Sequence, residues 1–91
     1  LVKGQDTFAA AGQPLPNYEV PVPKDSPLIG KSIGELKFWQ STGGTIVAIR
    51  RGQTVILSPG PYAELYSGDV IILVGSPSAA EAAHRLVTTK E

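Results

Sequence analysis

The sequence contains no cysteine and no methionine, and only one histidine and one tryptophan. Without cysteine, a disulfide framework and a thiolate metal site are both excluded. Charge of one sign is missing too, since eight basic residues balance eight acidic ones. That balance leaves no clustered-cation footprint for a nucleic-acid polymer and no polybasic segment for a membrane surface. Nor does any apolar run approach the roughly 18–20 residues that span a bilayer, and nothing resembles a signal peptide. These absences point away from direct membrane insertion and fit a cytoplasmic location. A start at Leu1 with no methionine anywhere is what a piece of a longer protein shows.

What is present suits one small folded unit. Ninety-one residues, 42% apolar and 18% charged, make a single domain with a modest core, for which self-association is expected. The ten glycines and eight prolines punctuate apolar runs rather than forming a low-complexity tract. Residues 1–16, with Gly4, Gly12, Pro14 and Pro16, read as a linker or partly ordered arm; their one helical possibility is Thr7 to Ala11. The domain proper is expected over 17–91.

It begins with an alternating segment, in which Tyr18, Val20 and Val22 interleave with Glu19, Pro21 and Pro23. Such alternation predicts a half-buried strand, and its prolines confine it to a sheet edge. After the turn at Lys24 to Pro27, Ser32 and Glu35 have capping-box spacing and start a short helix that buries Ile33 and Leu36, ends near Phe38 and stops at Thr42-Gly43-Gly44. Thr45 to Leu57 holds two β-branched runs around Gly52, which is a hairpin signal. Val70 to Val74 has no polar face and predicts a central strand covered on both sides. The final helix carries Ala79, Ala82, Ala83, Leu86 and Val87 on one arc, with a second capping-box spacing at Ser78 and Glu81. The order is β-α-β-β-β-α, an α+β fold built on a small antiparallel sheet with packed helices.

Catalytic groups do not assemble from this inventory. His84 sits at the edge of a polar helical arc and reads as a solvated surface residue, and Asp69 after Gly68 reads as a turn aspartate. An enzyme is therefore not expected, and no catalytic or metal-binding residue is nominated. Phe38 and Trp39 read as core. Arg50 and Arg51 end a strand beside a glycine turn and, as adjacent strand residues, face opposite ways. The plain reading is a solvated turn that uses both; the functional alternative is that one guanidinium grips an anion. Which one faces the ligand stays open.

From Tyr18 to Val87 the chain resembles the TrkA-C domain, the C-terminal lobe of regulators of potassium conductance. The resemblance is carried by Ser26-Pro27-Leu28-Ile29-Gly30-Lys31-Ser32-Ile33-Gly34-Glu35-Leu36, by Ile46-Val47-Ala48-Ile49-Arg50-Arg51-Gly52, by Pro59, and by Gly68-Asp69-Val70-Ile71-Ile72-Leu73-Val74-Gly75. The dinucleotide-binding lobe that usually precedes such domains is absent from this sequence. The resemblance implies a homodimeric regulatory domain at the cytoplasmic side of a potassium or other cation channel, transporter or antiporter. It also implies a small nucleotide ligand, cyclic di-AMP, in the groove between two subunits, and no resident cofactor. On that basis Arg50 or Arg51 would meet a phosphate, and Ile49, Val55, Ile56, Leu57 and Pro59 would wall the adenines. Thr54 to Pro59 contains neither the asparagine nor the histidine that some cyclic di-AMP-binding members place near the base. The alternative is a structural dimerisation module with no ligand of its own.

Overall fold

Tyr18, Val20 and Val22 do turn to one side of a strand, and that side is the core: Val20 and Val22 are buried and Tyr18 packs against them. The structure, a computed structural model, describes residues 7–10 and 13–89. Of the expected arm, residues 1–6, 11 and 12 lie outside that range. The strands are β1 (Thr7–Ala10), β2 (Gln13–Pro21), β3 (Thr45–Arg51), β4 (Thr54–Leu57) and β5 (Val70–Val74), and the helices are α1 (Ile33–Leu36), α2 (Phe38–Thr42) and α3 (Pro77–Thr88). The sheet runs β1-β2-β5-β3-β4 with every pairing antiparallel. This is the α+β architecture expected from the pattern of the sequence.

The all-apolar run became the middle strand. β5 lies between β2 and β3, pairing Val20 with Ile71 on one side and Ile49 with Ile71 on the other. Among the described residues β1 pairs with residues 13–16 of β2, and the part from Asn17 to Pro21 has β5 on one side alone, the edge position its proline requires. Ile71, Leu73, Ile49 and Val20 form the inner face together with Leu28, Phe38, Leu65, Ala80, Ala83 and Val87. Each fully buried aliphatic side chain there contributes roughly 1.5–3 kcal/mol of transfer free energy. The helical layer therefore covers one face of the sheet, and among the described residues the other face remains open. β5 is thus central but not, as expected, covered on both sides: Ile71 and Leu73 are buried while Val70, Ile72 and Val74 are half-buried. Among the described residues, no helix is long and apolar enough to cross a membrane.

Four local expectations are corrected. Thr7–Ala10 is a strand paired with residues 13–16, not a helical turn. Pairing with residues 13–16 supplies the segment with hydrogen-bond partners from a neighbouring strand, which outweighs its weak local helical preference. The predicted first helix is two: Lys37, at φ 50°, ends α1 in the left-handed region and α2 restarts at Phe38. The capping box at Ser32 and Glu35 is present, with Glu35 N–H donating to Ser32 Oγ and Ser32 N–H to Glu35 Oε1. The last helix is capped by Ser76 rather than Ser78, because Pro77 suits the first helical position, where no backbone N–H is needed. Ser76 Oγ accepts from Ala79 N–H at 3.2 Å. Finally, Phe38 is core as expected but Trp39 is 63% exposed, the two neighbours falling on different sides of a short helix.

The β3–β4 hairpin closes through Gly52, whose φ of 61° is strained for any residue with a Cβ. Gly44 has a different reason to be glycine. A Cβ there would lie 2.6 Å from Leu73 Cδ1 and 3.0 Å from its Cγ, in the middle of the core.

Candidate ligand-binding hairpin

Strand register divides the nominated residues between two faces. Ile49 pairs with Ile56 and both turn inward, so Ile49 is fully buried and Ile56 packs against the core. The structure thus takes Ile49 out of any surface site and gives Ile56 mainly a structural task. Ala48 pairs with Leu57 and Arg50 with Val55, which puts these four on the open face. Leu57 is 74% and Val55 45% exposed, unusually open for large aliphatic side chains on a strand. Pro59, beyond the end of β4, is half-buried. The hairpin therefore presents one arginine beside two exposed aliphatic residues, at the end of the sheet formed by β4.

The two arginines have separate fates. Arg51 Nε donates to Asp69 Oδ1 at 2.9 Å and its Nη2 to Asp69 Oδ2 at 2.8 Å. The same Nη2 reaches the Glu64 carbonyl at 3.0 Å, and the guanidinium lies 4.5 Å from the centre of the Tyr66 ring. Asp69 is fully buried and also accepts from Tyr66 N–H at 2.9 Å. Burial pushes the Asp69 carboxyl up, but the Arg51 and Tyr66 donors outweigh it and hold the group below the usual carboxylate range. The Asp69 hydrogen bond in turn raises the Arg51 pKa. Arg51 is a tie between the hairpin and the turn before β5, its Nε and Nη2 donors taken up by protein.

For Asp69 the turn-residue expectation is incomplete. The carboxylate does hold a turn through Tyr66, but it is also the buried partner of Arg51. A signal is present in the register: Arg50 lies opposite Val70, which sets Arg51 opposite Asp69. Only the pairing of two strands distant in sequence reveals it.

Arg50 faces outward. Its Nη1 and Nη2 donate to Glu19 Oε2 and Oε1, each at 3.1 Å, with both side chains well exposed. The Arg50 hydrogen bond is the main reason the Glu19 carboxyl is held below its ordinary value. Exposed pairs of this kind contribute little and exchange readily with solutes. His84 is exposed, as expected. Among the described residues, no group of three or more His, Cys, Asp or Glu could hold a metal. A cleft of about 240 Å³ lined by Pro27, Leu28, Lys31, Leu36, Leu86 and Thr89 lies on the helical side, away from the hairpin.

An antiparallel sheet backed by short helices is a fold shared with the RCK_C domains of known structure that this chain resembles. The chain belongs to the TrkA-C domain family, which matches residues 17–88. It is similar to the RCK_C domain dimer of S. agalactiae BusR in complex with c-di-AMP, at 42% identity and a TM-score of 0.76, covering 80% of this chain and 90% of that one. The same bacterium's BusR in complex with its busA-promoter DNA is 40% identical with a TM-score of 0.77, over 91% of this chain and 42% of that one. The RCK C domain of the potassium transport protein KtrA, in complex with c-di-AMP, is 28% identical with a TM-score of 0.70, covering 78% of this chain and 81% of that one. Among curated proteins, the ammonium/H(+) antiporter subunit AmhM of Alkalihalophilus pseudofirmus is 29% identical over 72 residues, 79% of this chain. The chain spans 43% of that relative's length.

Proposed function

We propose that this domain binds cyclic di-AMP, or a closely related anionic dinucleotide, across the two-fold axis of a homodimer and passes its occupancy to a parent protein. The reading is regulatory and non-catalytic. The observation that carries it is the shared open face of Arg50, Val55 and Leu57. A guanidinium beside exposed aliphatic surface suits a phosphate flanked by a base, and a two-fold axis presents that set twice to a two-fold ligand. The similarity to two c-di-AMP complexes supports the same reading.

The parent is read as a cation channel, transporter or antiporter acting at the cytoplasmic side of the membrane, in line with the KtrA and AmhM relationships. A second reading, a DNA-binding regulator, is favoured by the higher identity to BusR. The zero net charge of this chain would then leave the binding of DNA to the rest of the parent.

Calorimetry with cyclic di-AMP should give one nucleotide per dimer. Arg50→Ala should weaken binding about ten- to a hundredfold for each charge-assisted hydrogen bond it removes. A stoichiometry of one per monomer, or full affinity in Arg50→Ala, would refute the axial site. No binding by a stable wild-type dimer would favour the dimerisation module instead.

A further inference from the structure

The Arg50 fork is already filled, and what fills it lies across the sheet. Glu19 on β2 registers with Ile72, and Arg50 on β3 registers with Val70, so β5 runs between them. Both residues rise from the open face, and their side chains span the width of β5, roughly 10 Å between the outer strands, to meet above it. Each Nη takes one carboxylate oxygen at 3.1 Å. That end-on geometry is the one a phosphate uses when it binds arginine bidentately.

We propose that Glu19 is an internal competitor for the ligand: its carboxylate occupies Arg50 in the ligand-free domain and sets the affinity of the hairpin for anions. The inference rests on the ligand reading above and deepens it. A phosphate that takes the fork must displace the carboxylate, and the displaced charge stays close enough to repel it. The pair is suited to exchange because both partners are substantially exposed. Arg51 is not suited, since its partner Asp69 is buried and cannot move aside into water. In a symmetric dimer the competition occurs twice, once for each arginine. Glu19 is thereby an affinity-setting residue contributed by an edge strand distant in sequence from the hairpin.

The test is calorimetry with cyclic di-AMP on the whole chain, comparing wild type, Glu19→Gln, Arg50→Ala and the double variant, with Glu81→Gln as a charge control on the helical side. Releasing an exposed pair should tighten binding about two- to fivefold at each arginine, or about four- to twenty-five-fold where one ligand meets both. Glu81→Gln should leave affinity at the wild-type level. Adding Glu19→Gln to Arg50→Ala should change nothing further, because the competition acts only through Arg50. Wild-type binding that depends on Arg50, with Glu19→Gln unchanged or weaker, would overturn the competitor and leave the ligand reading standing. Equal tightening in the presence and absence of Arg50 would overturn it too. Binding by neither wild type nor Glu19→Gln would overturn the ligand reading itself. Melting curves for each variant establish that the folded domain is being compared.

Discussion

Arg51→Ala should destabilise this domain far more than Arg50→Ala, although the residues are adjacent and chemically identical. In the wild type, a fully buried Asp69 carboxylate is held by two Arg51 donors and by Tyr66 N–H. Truncating Arg51 removes the counter-charge and leaves the carboxylate with the backbone donor. Removing one partner of a buried pair costs about 3–5 kcal/mol. With the Arg51 side chain 37% exposed, water can repay part of that loss, so the lower end, about 3 kcal/mol, applies. For a domain of this size about 1 kcal/mol moves Tm by roughly 4–8 °C, giving a fall of about 12–24 °C. The Arg50–Glu19 pair is exposed, and Arg50→Ala should cost at most about 1 kcal/mol. Thermal melts and urea titrations at one protein concentration compare the two, the fixed concentration mattering because dimerisation shifts Tm. Adding Asp69→Asn to Arg51→Ala should recover part of the loss, since a neutral amide is cheaper to leave buried without a cation than a carboxylate. If Arg51→Ala costs no more than Arg50→Ala, Arg51 is not the structural tie described.

Acid should weaken the fold through the same groups. Asp69 and Glu19 bind protons less readily folded than unfolded, so their stabilisation is complete above the ordinary carboxylate pKa of about 4 and is lost as pH falls below it. Urea midpoints should therefore be flat from about pH 7 to 5 and drop below about pH 4, with the Asp69 share of that drop missing in Asp69→Asn. Gly44→Ala should destabilise by about 1–3 kcal/mol, because its Cβ would meet the buried Leu73 side chain at 2.6 Å. An unchanged urea midpoint in that variant would show that Leu73 can shift at no cost.

Much of the architecture is legible in the chain because it is written in short-range patterns. Alternation at Tyr18 to Val22, two β-branched runs about Gly52 and the alanine arc of α3 each determined an element and its buried side, whereas the apolar run Val70 to Val74 determined a central strand but not which of its faces is covered. Burying those faces leaves few arrangements of so small a sheet. The Ser32 and Glu35 cap is legible for the same reason, its atoms being three residues apart. The site is legible in composition but not in assignment. That an arginine of the hairpin should face outward follows from strand alternation. That it is Arg50 depends on which carboxylate each guanidinium meets, and those lie 31 and 18 residues away in sequence. Tertiary structure alone decided that Asp69 is buried beneath Arg51, that Ile49 is core, that Glu19 reaches over β5, and that Trp39 is exposed. Each depends on register between strands or on the packing of whole elements, and no local propensity encodes a distance between residues that only folding brings together.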